Sequence, residues 1–242
     1  MIPDTAFSPA CAATEAASRA IRLMDLTSLN DDDHDARIIA LCHQAQTPVG
    51  NTAAVCIYPR FVGLARLTLA AQGTPEIKVA TVVNFPHGDD ELTSVLAETR
   101  AALLDGADEI DLVIPWRALK AGDEAPARAL VRGCKALCGA RVLKVIIETC
   151  YLSDAEKVLA CTLAVEAGAD YVKTSTGFGS GGATVEDVRL MLDTVQGKAL
   201  VKASGGVRDA ASARQYVEMG VKRLGTSNGV KIVTGETVTG GY

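Results

Sequence analysis

From residue 21 onward, short β-prone runs alternate with amphipathic segments. The runs are rich in Val, Ile and Leu, and apolar positions in the segments between them follow the period of a helix. This alternation is typical of βα units that build a parallel sheet. The predicted strands are residues 22–26, 52–57, 77–83, 109–114, 142–148, 170–175, 199–203 and 221–225, and the predicted helices are residues 33–46, 60–72, 90–105, 124–138, 153–167, 184–195, 209–219 and 228–234.

Residues that favour helix ends mark the boundaries of these segments. Ser153 and Glu156 have the spacing of a capping box, and Thr184 can cap the following helix. Glycines that can end a helix in the left-handed conformation precede three of the strands, at Gly106, Gly168 and Gly220. The boundaries therefore agree with the periodicity.

Eight strand–helix units in one chain predict an α/β fold, a single-domain TIM (β/α)₈ barrel. Such barrels typically need about 250 residues, and this chain has 242. A doubly wound open sheet is the alternative. No linker or charge run divides the chain, so we expect a loose leader at residues 1–20, the barrel at residues 21–235 and a flexible tail at residues 236–242.

Composition narrows the class of protein. Hydrophobic residues make up 48% of the chain and the net charge is −5, which indicates a soluble globular protein without a basic face for nucleic acid. Seven cysteines without a C-x-x-C pair predict neither a disulfide framework nor a zinc site, and they favour a cytoplasmic location. No run reaches the roughly 18 apolar residues of a membrane span, so we expect no membrane partner.

Side-chain alternation along the predicted strands places ionisable residues inside the barrel. In residues 109–114, Ile110 and Leu112 face the helices, so Asp111 faces inward. The same reasoning places four more ionisable residues inside: Asp25, Lys144, Lys173 and Lys202. One buried lysine can simply pair with a carboxylate. A group of three is hard to explain by packing, because charges that leave water must be matched.

Lys173 stands in the run YVKTSTG, near the end of its predicted strand. A lysine attacks a carbonyl carbon only as the neutral amine, and lowering its pKa from about 10.4 to about 7 requires roughly 4.6 kcal/mol. A second ammonium about 5 Å away contributes roughly 3.3 kcal/mol at an effective dielectric of about 20. We therefore expect Lys173 to be a Schiff-base nucleophile, Lys202 or Lys144 to lower its pKa together with burial, and Asp111 to move protons.

Glycine-rich loops follow the last two predicted strands, as KASGGVR and RLGTSNG. In barrel enzymes these two loops often bind phosphate through backbone N–H groups. Glycine in a turn is the simpler explanation for either loop alone. The candidate substrate-binding residues in these loops and at the end of YVKTSTG are Thr176, Gly177, Gly205, Gly206, Gly225, Ser227 and Asn228.

The chain resembles the deoxyribose-phosphate aldolases, a family of class I aldolases with a TIM barrel. The motifs that carry the resemblance include LMDLTSLNDDD, TVVNFPHG, ETRAALLDGADEIDLVIPWRAL, LKVIIET, YVKTSTG and SGGVR, in this order from Leu23 onward. The resemblance implies reversible cleavage of 2-deoxy-D-ribose 5-phosphate into D-glyceraldehyde 3-phosphate and acetaldehyde, in deoxyribonucleotide catabolism, without a metal or organic cofactor. It also implies a homodimer.

The family roles fall on the residues that alternation had placed inside. Lys173 matches the Schiff-base lysine, Lys202 the lysine that lowers its pKa, and Asp111 the aspartate of the proton relay. Three further positions match residues that line the family's pocket: Asp25, Cys56 and Lys144. The last residue, Tyr242, matches a tail tyrosine that can transfer protons in the family.

One position departs from the family pattern. A lysine often follows TSTG near the phosphate, whereas this chain has Phe178, which leaves open whether phosphorylated or plain deoxyribose is preferred. The enzymatic alternative is another class I lyase, such as a transaldolase. A catalytically silent sugar-phosphate-binding barrel would not need the lysines. Metal-dependent aldol chemistry is disfavoured, because the chain's three histidines lack the spacing of metal ligands.

Overall fold

The computed structural model describes the backbone of residues 9–207 and 209–234 and the side chains of residues 15–207 and 209–231. Within these ranges eight parallel strands close into a barrel, each paired with its neighbours along the chain and the last with the first. The strands are β1 (Met24–Thr27), β2 (Ala54–Ile57), β3 (Lys78–Val83), β4 (Glu109–Val113), β5 (Val142–Ile146), β6 (Tyr171–Lys173), β7 (Leu200–Ser204) and β8 (Arg223–Thr226). The predicted single-domain TIM barrel is confirmed, and the open sheet is excluded.

Helices separate the strands, and each predicted helix overlaps one of them. They are α1 (Pro9–Ile21), α2 (Asp35–Gln44), α3 (Val62–Ala71), α4 (Leu92–Leu104), α5 (Trp116–Lys120), α6 (Ala125–Cys138), α7 (Asp154–Glu166), α8 (Val185–Val195), α9 (Ala210–Met219) and α10 (Gly229–Thr234). The pattern did not predict the short α5. It also did not predict the antiparallel pairing of Gln46–Thr47 with Gly50–Asn51.

The predicted helix caps are present. The Ser153 hydroxyl accepts the backbone N–H of Glu156, whose side chain accepts the N–H of Ser153 in return. Thr184 caps α8 by accepting the backbone N–H of Asp187. These bonds satisfy donors that the first turn of a helix leaves unpaired.

Two apolar clusters lie on opposite sides of the barrel wall. The larger one fills the space between strands and helices and contains the outward residues Ile110, Leu112 and Val201. The smaller one lies inside the barrel, where residues of β2 and β3 pack with a loop leucine, and it comprises Leu29, Ala54, Cys56, Ala80 and Val82. One half of the barrel interior is therefore apolar, and the predicted ionisable residues lie on the other strands.

Most of α1 lies within the predicted leader of residues 1–20. Its residues Ala20 and Ile21 are buried, and the helix packs against α9 and α10. The predicted tail of residues 236–242 lies outside the described part of the chain. Among the helices that are described, none has the length and apolar character that a membrane crossing requires.

Thr184→Ala should lower the free energy of unfolding by about 1 kcal/mol, because an N-terminal donor of α8 loses its partner. Urea unfolding measures the change. Thr194→Ala is the matched control, since the Thr194 hydroxyl donates to a carbonyl within the same helix and alanine favours the helical state. An equal loss in both variants would contradict a capping role for Thr184.

Candidate active site

Lys173 is the last residue of β6, and its side chain points into the charged half of the barrel. The residue is 2% exposed, and its Nζ donates to Asp111 Oδ2 at 2.8 Å. In the strand register Lys173 is the direct partner of Lys202. The predicted nucleophile and its predicted neighbour therefore lie side by side on adjacent strands.

Asp111 joins the three lysines. Its Oδ2 accepts from both Lys173 and Lys202 at 2.8 Å, and its Oδ1 accepts from Lys144 at 2.8 Å. Asp111 and Lys144 are also register partners on β4 and β5. The ionisable residues predicted inside the barrel are thus in direct contact, as alternation requires.

Asp25 completes this group from β1. Its Oδ2 accepts from Lys202 at 2.5 Å and lies 3.4 Å from Lys144 Nζ. Its other oxygen, Oδ1, accepts from Arg223 at 2.7 Å. Asp25 therefore links the lysines to an arginine on β8.

Arg223 and Glu109 belong to the same cluster, although neither was predicted as a site residue. Both guanidinium NH groups of Arg223 donate to Glu109, at 2.7 and 2.8 Å, and Lys144 Nζ lies 2.6 Å from Glu109. Glu109 lies two residues before Asp111 on β4 and so faces inward as Asp111 does, whereas Arg223 stands in RLGTSNG, which was interpreted as a glycine-rich loop. The same alternation would have found it, because Leu224 faces the apolar layer.

The charges act differently on the three lysines. Burial lowers the pKa of Lys173, the Lys202 ammonium lowers it further, and Asp111 opposes both. Burial also disfavours the charge on Lys202, but Asp111 and Asp25 outweigh it and hold the Lys202 pKa well above its usual value. The pKa of Lys144 is likewise raised, because its carboxylates outweigh burial. Lys173 is therefore the lysine of this cluster that loses its proton most easily.

The causes rank differently from the sequence-based expectation. That expectation gave the neighbouring ammonium the larger part in lowering the Lys173 pKa, whereas burial is the larger cause in the structure. The reason is geometric: Asp111 Oδ2 lies between the two ammonium groups and offsets their repulsion.

Cys56 lies beside the cluster, and Thr176 lies in the loop after β6. Cys56 is fully buried inside the barrel, and burial raises the pKa of its thiol. Thr176 donates its backbone N–H and its hydroxyl to Glu148, and its hydroxyl accepts the N–H of Phe178. Glu148 has the left-handed φ of 56°, which a non-glycine residue adopts only when its contacts enforce it.

The predicted phosphate residues lie near the carboxyl ends of β6, β7 and β8. Gly205 and Gly206 have φ values of 64° and 83°. A Cβ on Gly206 would lie 2.8 Å from the carbonyl oxygen of Ala183. Backbone conformation and close packing thus require these glycines, whatever they bind, and phosphate binding here stays a prediction.

The other candidates divide between strand and loop. Gly177 has a φ of 93° in the loop after β6. Gly225 lies within β8, where a Cβ would clash with the Ser204 hydroxyl and would be 3.2 Å from Lys202 Cε, so this glycine leaves room for both side chains of β7. Ser227 and Asn228 follow β8, and their side chains are hydrogen-bonded to each other. Tyr242 lies outside the described residues.

Aromatic side chains border the site at the same end of the barrel. The Phe178 ring meets Phe85 edge-on with centroids 5.2 Å apart, and Phe85 meets Tyr58 edge-on at 6.2 Å. We call Tyr58, Phe85 and Phe178 the aromatic row. A cavity of about 140 Å³ adjoins the aromatic row, lined among others by Trp116, Glu148, Thr176 and Phe178.

A larger cavity of about 1000 Å³ lies between α1 and the amino ends of the strands. It contains none of the predicted site residues.

The fold and the cluster together define a TIM-barrel enzyme of the aldolase class, with ionised residues where such barrels carry their chemistry. The model of the DeoC/LacD family aldolases matches residues 19–235. The chain therefore belongs to the DeoC/LacD aldolase family, and the resemblance seen in the sequence is confirmed.

Solved structures agree with this assignment. A structure named as a deoxyribose-phosphate aldolase from Coccidioides immitis is 35% identical, with a TM-score of 0.84 over 90% of this chain and 85% of that chain. An aldolase named QR15 is 33% identical, with a TM-score of 0.82 over 89% and 94%. The tetrameric deoxyribose phosphate aldolase from Aeropyrum pernix is 25% identical, with a TM-score of 0.79 over 92% and 95%.

Lys202→Met should raise the pKa of Lys173, because one ammonium leaves the cluster and Asp111 Oδ2 is left to Lys173. The neutral amine then forms at higher pH, so reductive methylation of Lys173 by formaldehyde and cyanoborohydride should slow strongly at neutral pH. Mass spectrometry of the Lys173 peptide across a pH series measures this, with exposed Lys198 as the internal reference. Unchanged labelling of Lys173 would show that Lys202 does not control its proton.

Proposed function

We propose that this protein is a Schiff-base aldolase that reversibly cleaves 2-deoxy-D-ribose 5-phosphate into D-glyceraldehyde 3-phosphate and acetaldehyde. The observation that carries the proposal is the position of Lys173. It is a buried lysine with a lowered pKa at the carboxyl end of a barrel strand, in contact with one carboxylate. Family membership and the names of the similar structures support the substrate.

In this mechanism the neutral amine of Lys173 attacks the carbonyl carbon of the sugar. The resulting carbinolamine loses water and becomes an iminium ion, which withdraws electrons from the adjacent carbon–carbon bond. A base takes the proton of the 3-hydroxyl, and the bond between the second and third carbons of the sugar breaks. Its electrons form an enamine on Lys173, and the phosphorylated aldehyde leaves. Protonation of the enamine and hydrolysis release acetaldehyde and regenerate the amine.

Asp111 is the group best placed to move these protons. Its Oδ2 is already hydrogen-bonded to Lys173 Nζ, so a proton passes between them without rearrangement. Asp111 is ionised at neutral pH because Lys144, Lys173 and Lys202 outweigh burial and hold its pKa well below the usual range. Lys202 keeps its charge and can return a proton through the same oxygen. Asp25 and Lys144 hold Asp111 and Lys202 in this geometry.

Substrate recognition in this proposal uses both sides of the barrel mouth. Cys56 lies beside the nucleophile, and Thr176 and Gly177 border the sugar. The phosphate is bound by backbone N–H groups of the loops after β7 and β8, at Gly205, Gly206, Gly225, Ser227 and Asn228. Phe178 brings an aromatic ring instead of a charge to this mouth. We therefore expect weak discrimination between phosphorylated and plain deoxyribose.

The wider setting follows from the reaction. Deoxyribose phosphate arises from deoxyribonucleotide breakdown, so we place the enzyme in that catabolism and in the cytoplasm. A homodimer remains our prediction for the assembly, whereas the Aeropyrum pernix aldolase is named as a tetramer. Tyr242, as the last residue, is proposed to assist proton transfer to the enamine.

Borohydride reduction in the presence of acetaldehyde should leave an ethyl group on Lys173, because the reagent reduces the iminium ion to a stable amine. Peptide mass spectrometry locates the adduct. Lys173→Met should eliminate it and the retro-aldol activity, whereas the control Lys198→Met, on the exposed surface, should retain both. An adduct on another lysine, or none, would refute the mechanism.

Phe178→Lys should lower the KM for 2-deoxy-D-ribose 5-phosphate while leaving the KM for 2-deoxy-D-ribose nearly unchanged. A charge-assisted hydrogen bond to phosphate contributes about 1.5 kcal/mol, or roughly tenfold in affinity. Phe178→Met is the control for loss of the ring without gain of charge. Equal effects of the lysine on both sugars would mean that this position does not contact the phosphate.

A further inference from the structure

Arg223 contacts two carboxylates and none of the atoms that react. Its NH1 group donates to Asp25 Oδ1 and Glu109 Oε2, and its NH2 group donates to Glu109 Oε1. The side chain is only 13% exposed, and its guanidinium carbon lies 5.8 Å from the centre of the Tyr171 ring. A mostly buried arginine held by a forked pair and a third bond has a fixed position.

The ion pairs of the cluster do not match one to one. Three carboxylates, those of Asp25, Glu109 and Asp111, meet four cationic groups, those of Lys144, Lys173, Lys202 and Arg223. The charges balance when one of the four cations is neutral. An arginine does not lose its proton in proteins, so only a lysine can be the neutral one.

The contacts decide which lysine this is. Lys144 lies within 4 Å of three carboxylates and Lys202 within 4 Å of two. The ion pair of Lys173 is with Asp111, whose Oδ2 it shares with Lys202. Deprotonating Lys173 therefore sacrifices the least electrostatic attraction.

Other ionisable groups face Lys173 from neighbouring elements. The Cys56 thiol approaches from β2, and burial raises its pKa, so it stays neutral. Glu148 follows β5 and attracts Lys173, but its carboxylate accepts two hydrogen bonds from Thr176, and burial raises its pKa as well. Among the described residues, neither group forms an ion pair with Lys173, whose ion pair is with Asp111.

We propose that Arg223 is a positioning residue for the aldol reaction: by engaging Glu109 and one oxygen of Asp25, it supplies the permanent charge that leaves Lys173 as the cation in excess. Without Arg223, only Lys144 and Lys202 would neutralise Glu109 and Asp25. The cluster would then need the proton on Lys173 to balance its charges. This inference deepens the proposed function and rests on Lys173 as the nucleophile.

The test is the pH dependence of kcat/KM, compared with the pH dependence of adduct formation between acetaldehyde and Lys173 under cyanoborohydride. Arg223→Met removes a positive charge from the cluster, so the acid limb of both profiles should move upward. At an effective dielectric of about 20, a unit charge about 12 Å away shifts a pKa by roughly one unit, so we expect a shift of at least about this size. Arg223→Lys retains the charge, so its acid limb should stay close to the wild-type position. Arg128→Met, which removes a surface arginine, should leave both profiles unchanged.

Glu109→Gln provides the opposite change, because it removes a negative charge and should move the acid limb downward. The double variant Arg223→Met with Glu109→Gln restores the balance of charges, so its acid limb should return toward the wild-type value. A purely structural role of Arg223 predicts the reverse, a double variant more impaired than either single one. Should Arg223→Met fail to fold, Glu109→Gln and the double variant still decide the question.

The outcomes separate this inference from the proposed function. A wild-type enzyme that forms no adduct on Lys173 would refute the proposed function itself. A wild-type adduct on Lys173, with an acid limb that stays in place in Arg223→Met or does not return in the double variant, would overturn the role of Arg223 alone. A shifted limb that returns in the double variant establishes the role.

Discussion

The contact of the Asp111 carboxylate with three lysines is the interaction on which the rest of the site depends. Each of these groups would be strongly destabilised alone in the barrel interior, because burial removes its hydration. Asp111 removes that penalty for Lys144, Lys173 and Lys202 at once, with one oxygen serving two of them. The same contact keeps Asp111 ionised and hence able to accept a proton.

The barrel geometry makes this arrangement possible. Inward residues at similar heights on adjacent strands are brought together by the register, as with Asp111 and Lys144 or Lys173 and Lys202. The apolar residues of β2 and β3 exclude water from the other side. Burial and the neighbouring charges therefore act on Lys173 together. A single charged strand in an open sheet would give a lysine neither this burial nor these neighbours.

Two periodicities predicted most of this structure. The helical and strand periods located every strand of the described barrel, and alternation placed Asp25, Asp111 and the three lysines inside. The sequence did not predict Arg223 as a site residue, because the glycines after it favoured a loop. Strand alternation nevertheless places Arg223 inward, as it does Lys202. The ranking of causes for the Lys173 pKa depends on where the Asp111 carboxylate lies between two ammonium groups, and a sequence pattern carries no such distance.

The aromatic row has a different significance from the charged cluster. Its three rings are fixed by edge-on contacts and by the Tyr58 hydroxyl bond to the Leu29 carbonyl, not by ion pairs. Uncharged substitutions there change the shape and polarity of the entrance without altering the number of charges around Lys173. In the proposed mechanism, activation of the amine and choice of aldehyde are thus separable traits, and selection or design can change the second while the first stays intact.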